Sequence, residues 1–366
     1  MINIDDRTDV IFPYLSNTID ESRTVLFVEN IQFLYSKFQD DISKKMFLER
    51  LLICFTQNNA HIRKLSELTH TGAAFCERIK QLFVDHHQIY IYGCGKRGKR
   101  LVDMFPDIQF AGFIDRNIEC GYKNIPILRI DKVPSECGIV VSNLYAQDVI
   151  VNDLLSQGIK EDSIVVLTEY EKEIQKEIYF ETRCTQAFNK STGTFIDGGA
   201  LDGNDCKRFV NSNLYNGNSV IAFEPDYTSY IRTTENLKGI NHLTVYQKGL
   251  SDRTESVHFD GGKGEAARIS EDGEDIIQTV RLDDICTDER VSFIKLDIEG
   301  SEFATIMGAK NTIIRDKPNM MVSVYHKKED ILAIPLLLLK YNNRYRFALG
   351  HYSVGSASDT VLYAFE

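Results

Sequence analysis

Two short apolar runs that both end in polar residues constrain the fold of this chain more than any other feature. The first, Thr194–Asp197, leads into a glycine-rich turn at positions 198–203, and the second, Val220–Phe223, ends in Glu224, which lies 27 positions after Asp197. This spacing is typical of a strand, a helix and a second parallel strand. Glycines in the turn let a ligand approach the backbone closely, and an acid at the tip of the second strand can bind both hydroxyls of a ribose.

The ligand that this arrangement favours is an adenosine group without a pyrophosphate. A pyrophosphate-binding turn has the spacing G-x-G-x-x-G, and this turn does not, so the pattern indicates S-adenosylmethionine. The alternative is a glycine-rich turn that only joins a strand to a helix. A third apolar run, Phe293–Leu296, is followed by Asp297 and Glu299. Because ligands of an open parallel sheet bind outside the carboxyl ends of its strands, we expect these acids to line the same crevice as Asp197 and Glu224.

The chain resembles the FkbM-type methyltransferases, a family of S-adenosylmethionine-dependent enzymes that mostly O-methylate sugars and natural products. The resemblance implies an α/β fold of the Rossmann-like class I methyltransferase type, in which a parallel sheet is closed by an antiparallel hairpin. It also implies methyl transfer, but it does not identify the acceptor. The matching stretches, in order, are FIDGGALDGN at 195–204, IAFEPD at 221–226, GLSD at 249–252, IKLDIEGSE at 294–302 and SVYHKKEDI at 323–331.

The predicted cofactor site combines the glycine turn, the acid that binds the ribose and residues from the other matching stretches. These residues are Asp197, Gly198, Gly199, Ala200, Gly203, Glu224, Pro225, Ser251, Asp252 and Asp297.

Catalysis requires that the acceptor hydroxyl is aligned with the sulfonium methyl and loses its proton as it attacks. The candidates at the carboxyl ends of the strands are Asp297, Glu299 and His326. The ordinary pKa of histidine, near neutrality, suits His326 as the general base. The alternative for His326 is a histidine at the rim of the crevice that bonds the backbone. The alternative for Asp297 is a cap of the helix that begins near Gly300. Asp297, Glu299 and His326 could also bind a divalent cation that activates the hydroxyl.

Three further residues are expected near this crevice. Lys295 alternates with Asp297 along its strand and is expected to neutralise the acids. His351 and Tyr352 follow the penultimate strand and are predicted to contact the acceptor from the opposite wall. Relatives often have Arg-His-Tyr at this point, whereas this chain has Gly350, so an acidic sugar is the less supported acceptor.

A second glycine pattern predicts another nucleotide-binding unit upstream. The strand-like run Ile89–Tyr92 precedes a full G-x-G-x-x-G at 93–98, and a further run ends in the acid Asp115. This pattern predicts a small Rossmann-like domain that binds a nucleotide or a nucleotide sugar, unless its glycines serve only packing. Two basic residues near a helix N-terminus would suit a phosphate. The candidate residues are Gly93, Gly95, Lys96, Arg97, Gly98 and Asp115.

The predicted organisation is a helical region at 1–87, the small Rossmann-like domain at 88–170 and the methyltransferase domain at 171–366. The N-terminal helices could support a homo-oligomer. The net charge of −11 makes nucleic acid an unexpected partner. No signal peptide is recognised, and the longest apolar stretch, Ile331–Leu339, is too short to cross a bilayer, so a cytoplasmic location is expected. The cysteines show no C-x-x-C pair, which favours reduced thiols over a zinc site.

The sequence therefore favours O-methylation of a hydroxyl on a sugar, a nucleotide-linked sugar or a glycosylated natural product. Two alternatives stay open. The chain could be a nucleotide-responsive binding protein with a vestigial methyltransferase centre, or an NAD-dependent oxidoreductase that uses residues 93–115.

Overall fold

The computed structural model describes residues 21–116, 121–190, 192–262, 264 and 267–366. It divides into two compact units. The parallel-sheet unit comprises Lys45–Ile178 and His351–Asp359, and the mixed-sheet unit comprises the residues up to Lys44 together with Tyr179–Gly350 and Thr360–Glu366. The first 20 residues of the predicted helical region, and Cys120 with its three preceding neighbours, lie outside the described residues.

Four helices open the described chain. Thr69 caps the fourth through its Oγ1, which accepts a hydrogen bond of 3.0 Å from Gly72 N. Gly72 allows the third and fourth helices to meet closely, since a Cβ there would lie 2.2 Å from Ser66 O. The helices are α1 (Glu21–Lys37), α2 (Asp41–Thr56), α3 (Ala60–Glu67) and α4 (His70–Asp85).

The parallel-sheet unit continues with a five-stranded sheet of order β3-β2-β1-β4-β5, in which every neighbouring pair is parallel. Its central strands are short runs of β-branched and aromatic residues that are buried on both faces, as a covered parallel sheet requires. The elements are β1 (Ile89–Tyr92), α5 (Lys96–Met104), β2 (Gly112–Ile114), β3 (Ile127–Leu128), β4 (Gly138–Val141), α6 (Gln147–Ser156), β5 (Ile164–Val166) and α7 (Leu167–Gln175).

The mixed-sheet unit is built around a seven-stranded sheet. Its elements after α1 are α8 (Thr182–Thr185), β6 (Thr194–Gly198), α9 (Asn204–Val210), β7 (Ser219–Phe223), α10 (Tyr227–Asn236), β8 (Leu243–Tyr246), β9 (Gly249–Leu250), β10 (Ser256–Asp260), β11 (Arg268–Ile269), β12 (Asp275–Val280), α11 (Leu282–Ile285), β13 (Val291–Leu296), α12 (Glu302–Gly308), α13 (Lys310–Asp316), β14 (Asn319–Ser323), α14 (Asp330–Tyr341), β15 (Arg346–His351) and β16 (Thr360–Phe365).

The order of the large sheet is β15-β16-β14-β13-β6-β7-β8. The five strands from β14 to β8 are parallel, and β16 closes the sheet antiparallel to β14, as the sequence predicts. The chain runs outward from β6 through β7 to β8, then returns to the other side of β6 as β13. This reversal makes the junction of β6 and β13 the topological switch point, where α/β sheets bind ligands at the carboxyl ends of their strands.

Two features of the mixed-sheet unit escaped the sequence reading. A small four-stranded sheet of order β11-β10-β12-β9 lies between β8 and β13 in the chain. Helix α14 is buried along almost its whole length, which explains the apolar stretch at Ile331–Leu339. None of the described helices is long and apolar enough to span a membrane.

The two units divide the chain differently from the predicted boundaries. The N-terminal helices do not form a region of their own, because α3 packs on α4 and α5 while α4 packs on α7 and β4. Between the two units, α7 ends at Gln175, and the chain turns at Tyr179, whose φ is +65°, before α8 begins. Oligomerisation stays a prediction; Ile42, Leu48, Leu52 and Phe55 of α2 are partly exposed apolar side chains.

Candidate active site

The glycine turn after β6 has a tightly constrained backbone. Gly199 has a φ of +76°, and a Cβ there would lie 2.0 Å from Asp297 O at the end of β13. Gly199 N and Ala200 N both donate to Phe223 O, at 3.0 and 3.1 Å. The turn is therefore held between the ends of β7 and β13, and glycine is required at 199 by both conformation and contact.

Asp197 and Lys295 form a buried ion pair across the switch point. They are register partners on β6 and β13, and Lys295 Nζ lies 3.0 Å from Asp197 Oδ1. Lys295 Nζ also lies 3.4 Å from Asp205 Oδ2 and donates to Gly199 O at 2.9 Å. Burial lowers the pKa of Lys295, but Asp197, Asp205 and Asp297 outweigh it and raise that pKa overall. The expectation that Lys295 neutralises the acids is thus confirmed. The carboxylate of Asp197 is already paired with this lysine.

Glu224 lies where the second strand meets the glycine turn. Its Oε2 accepts a hydrogen bond of 2.8 Å from Leu201 N, and its Oε1 accepts one of 2.9 Å from Asp226 N. Burial raises the pKa of Glu224, an effect that the two amides oppose. Leu201 has a φ of +52°, a region that residues with a Cβ rarely adopt. A carboxylate oxygen can accept more than one hydrogen bond, so these amides orient Glu224 without using up its capacity for a ribose.

His326 is surrounded by three carboxylates. Its Nδ1 lies 2.8 Å from Glu302 Oε1, and its Nε2 lies 3.2 Å from Glu299 Oε1 and 3.6 Å from Asp297 Oδ1. Burial lowers the pKa of His326, but hydrogen bonds and charges from these acids outweigh it and raise the pKa to about 10. The ordinary near-neutral pKa that favoured His326 as the base does not apply here, because the ring is surrounded by three carboxylates, of which Glu302 was not expected.

Tyr179, Tyr325 and Glu302 also contact these side chains, although the sequence did not predict a role for them. Tyr179 Oη donates to Asp297 Oδ2 at 2.7 Å, and Tyr325 Oη donates to Asp297 Oδ1 at 3.3 Å. Burial raises the pKa of Asp297, but Lys295, His326 and the hydrogen bonds lower it overall. Glu302 is fully buried, and its position in the matched stretch at 294–302 was the only signal that could have found it. We name Asp297, Glu299, Glu302 and His326 the acidic cluster.

The backbone around the acidic cluster is unusual as well. Glu299 has a φ of +54° and Gly300 one of +98°. Ile298 N donates to Glu302 Oε1 at 2.9 Å, so the first turn of α12 folds back onto the end of β13. A residue with a side chain in the left-handed region costs about 1–3 kcal/mol, and such strain concentrates at functional sites. Asp297 does not cap α12, because Ser301 is the residue that precedes the helix.

The remaining predicted residues of the crevice have different surroundings. Leu250, just before Ser251 and Asp252, packs beside the end of β6, since a Cβ at Gly198 would lie 3.0 Å from its Cδ1. Ser251 Oγ donates to Asp252 Oδ1 at 3.2 Å. A Cβ at Gly203, which precedes α9, would lie 2.7 Å from Leu237 Cγ, so this glycine is needed for packing. Pro225 follows Glu224 in the turn before α10.

His351 and Tyr352 do not support the predicted acceptor contact. Each is only 1% exposed, and both belong to the segment grouped with the parallel-sheet unit. Burial, followed by the charge of Arg50, lowers the pKa of His351 to about 3, so its ring is neutral. A buried pair of side chains cannot line an open surface, which corrects that prediction.

The glycines of the parallel-sheet unit have two kinds of surroundings: some lie against other atoms of the protein, and one faces open space. A Cβ at Gly98 would lie 2.0 Å from Gly93 O, and one at Gly93, whose φ is +96°, would lie 2.6 Å from Asn143 Oδ1. At Gly95, by contrast, a Cβ would meet nothing within 4 Å. Asp115 Oδ2, at the tip of β2, accepts a hydrogen bond of 2.9 Å from Cys94 N.

The two basic residues of that turn differ in what they contact. Arg97 is occupied, because it donates to Ser142 O at 2.9 Å and pairs with Glu171. Lys96 is exposed at the N-terminus of α5. Of the two basic residues predicted to bind a phosphate, Lys96 alone keeps that role as a prediction.

Comparisons with known proteins place a family domain over this crevice. Residues 197–345 match the model described as the methyltransferase FkbM domain. The chain is 28% identical over 152 residues to the 2-O-methyltransferase NoeI of Sinorhizobium fredii, and the match covers 35% of this chain and 62% of NoeI. The chain thus spans less than two thirds of that relative. The crystal structure of methyltransferase FkbM from Methylobacillus flagellatus KT has a TM-score of 0.48 and 17% identity, over 81% of this chain and 99% of that one.

Replacing Lys295 with Met should destabilise the protein by about 3–5 kcal/mol, because it leaves the Asp197 carboxylate buried without a cation. Urea unfolding followed by circular dichroism measures this cost. The double variant Lys295→Met/Asp197→Asn should recover part of the lost free energy, because it removes the unpaired charge. A double variant that is less stable than the single one by the full cost of Asp197→Asn alone would contradict the pairing.

Proposed function

Residues 197–345 form a methyltransferase domain of the FkbM type, and we propose that this domain transfers a methyl group from S-adenosylmethionine to a hydroxyl of a sugar or glycoside. The observation that carries the proposal is the meeting of Glu224, the glycine turn and the acidic cluster at one switch point. Glu224 would bind the ribose, and the acidic cluster would lie toward the reacting methyl. Transfer to an oxygen is supported by the similarity to the 2-O-methyltransferase NoeI, and the sugar acceptor is inferred from the resemblance to the FkbM-type enzymes.

The charge of the crevice supports a sulfonium cofactor. Asp297, Glu299 and Glu302 lie beside His326, while the buried Lys295 is already shared between Asp197 and Asp205. A site with this excess of negative charge favours a ligand that carries a positive charge next to the reacting carbon. S-adenosylmethionine has such a charge on sulfur, and it loses that charge on methyl transfer, which favours release of the product.

The proton of the acceptor hydroxyl would pass to the acidic cluster. The acids around His326 raise its pKa to about 10, so near neutral pH its ring is an imidazolium and is a poor acceptor for this proton. Glu299, which is 31% exposed, is the more accessible carboxylate, whereas Asp297 is held by two tyrosine hydroxyls. We propose Glu299 as the base and Asp297 and His326 as the groups that position it. A positioned base contributes a factor of about 10² to 10⁴ to the rate.

Glu224→Gln should weaken binding of S-adenosylmethionine by about 10- to 150-fold, equivalent to roughly 1.5–3 kcal/mol for the loss of a charge-assisted hydrogen bond. Isothermal titration calorimetry measures the affinity. Glu235→Gln, an exposed position on the neighbouring helix α10, is the matched control and should bind like the parent. Equal affinities in all three proteins would remove Glu224 from the ribose site.

His326→Ala should reduce methyl transfer by about 10²- to 10⁴-fold and leave the affinity for S-adenosylmethionine within about twofold, because the loss falls on the transition state. Single-turnover assays with labelled cofactor separate the chemical step from binding. His258→Ala is the control, since that histidine lies on β10 of the small sheet, where its Nδ1 is 2.9 Å from Gly273 O. Full activity of His326→Ala would remove His326 from catalysis and leave Glu299 to act without it.

The parallel-sheet unit supports a second candidate function, the binding of a nucleotide or nucleotide sugar. Gly95 has a φ of −74° and a ψ of −170°, which any residue adopts, and open space lies where its Cβ would be. Neither conformation nor packing therefore explains a glycine at this position. A ligand that approaches the backbone closely explains it, and Asp115 at the tip of β2 occupies the place of a ribose-binding acid. The nucleotide-responsive and NAD-dependent alternatives both rest on this site.

Gly95→Val should abolish thermal stabilisation of the protein by the ligand of this unit and leave S-adenosylmethionine binding intact, because the added side chain fills the open space without strain. Differential scanning fluorimetry with UDP-glucose and with NAD as probes measures the shift in melting temperature. The melting temperature of the unliganded variant controls for misfolding. If neither probe stabilises the parent protein, the glycine pattern has only a structural role.

A further inference from the structure

The ring of His326 contains a buried nitrogen without a hydrogen bond. Its side chain is 8% exposed, and Nε2 makes no hydrogen bond although two carboxylate oxygens lie close to it. Those atoms are Glu299 Oε1 at 3.2 Å and Asp297 Oδ1 at 3.6 Å. Nε2 therefore contacts two carboxylates without a well-aligned hydrogen bond to either, an arrangement that a cation between the three groups would satisfy.

The other ring nitrogen is held firmly by Glu302. His326 Nδ1 lies 2.8 Å from Glu302 Oε1, and that carboxylate is fully buried. Ile298 N donates to the same oxygen at 2.9 Å and fixes its position. A carboxylate so placed keeps the proton on Nδ1, so a cation that displaces the proton of Nε2 would meet the Nε2 lone pair beside Asp297 and Glu299. Histidines that bind metals are oriented in this way by an acid on the far side of the ring.

We propose that a divalent cation of the Mg²⁺ or Mn²⁺ type binds to one carboxylate oxygen of Asp297, one of Glu299 and Nε2 of His326. Glu302 would orient the histidine. Neighbouring ligand atoms around a six-coordinate cation of this size lie about 3 Å apart, because each is about 2.1 Å from the metal. The distances from Nε2 to Glu299 Oε1, 3.2 Å, and to Asp297 Oδ1, 3.6 Å, need only small adjustments to reach that value. The ligand atoms of Asp297, Glu302 and His326 lie within 4.8 Å of one another, and Glu299 approaches this group through its contact with Nε2.

The cation would deepen the proposed methyl transfer, on which its catalytic role rests. Three protein ligands leave open coordination positions at which water or an acceptor hydroxyl can bind. A hydroxyl bound to a divalent cation loses its proton more readily, and the proton passes to solvent or to Glu299 if that carboxylate leaves the metal. The binding of the metal itself does not require S-adenosylmethionine or an acceptor.

The experiment measures Mn²⁺ binding to the full chain by electron paramagnetic resonance, without S-adenosylmethionine or acceptor. The parent protein should bind one Mn²⁺, and His326→Ala and Glu299→Gln should each weaken binding at least about tenfold. Glu302→Gln should weaken it about 10- to 100-fold, the effect of losing an orienting partner. Glu289→Gln is the control, since that carboxylate bonds Thr194 Oγ1 at the opposite end of β6.

Melting temperatures in EDTA keep the test independent of folding. In EDTA, Glu302→Gln should melt within a few degrees of the parent, and it should lose only the additional stability that Mn²⁺ gives. If the role of Glu302 were merely structural, the substitution would also lower the melting temperature in EDTA. No Mn²⁺ binding by the parent, or undiminished binding by Glu299→Gln and His326→Ala, would overturn the proposal. Methyl transfer that persists in EDTA refutes the cation's catalytic role alone, and Mn²⁺ binding without any methyl transfer refutes the proposed function alone.

Discussion

The mixed-sheet unit depends on the buried ion pair between Asp197 and Lys295. Because the two residues are register partners on β6 and β13, the pair fixes how these strands align at the switch point. Lys295 also holds Gly199 O, so the same ammonium group locks the glycine turn that follows β6. A charge buried in a sheet is tolerated only with a partner, which makes a shift of register costly.

This arrangement separates two groups of acids that the sequence places together. Asp197 and Asp205 are satisfied by Lys295, whereas Glu299 and Glu302 contact His326 instead. The first group maintains the sheet and the second is available for chemistry. The backbone strain at Glu299 belongs to the second group, as expected where a side chain is held for function.

The two glycine turns of the chain meet different demands. Gly199 and Gly203 in the mixed-sheet unit are required by contacts inside the protein, and so are Gly93 and Gly98 in the parallel-sheet unit. A glycine pattern is thus evidence of close packing before it is evidence of a ligand. Gly95 differs because nothing in its surroundings requires a glycine.

The sequence alone determined the strand-and-turn pattern, the acids at the strand ends and the family resemblance, because local periodicity and glycine spacing record them directly. It did not determine that Arg97 is occupied, that His351 is buried, or that Glu302 contacts His326, since each depends on residues distant in the chain. The raised pKa of His326 shows most clearly why the tertiary structure was needed. Its pKa is set by carboxylates that only the folding of α12 and β14 against β13 brings together, and no pattern in the sequence measures that distance.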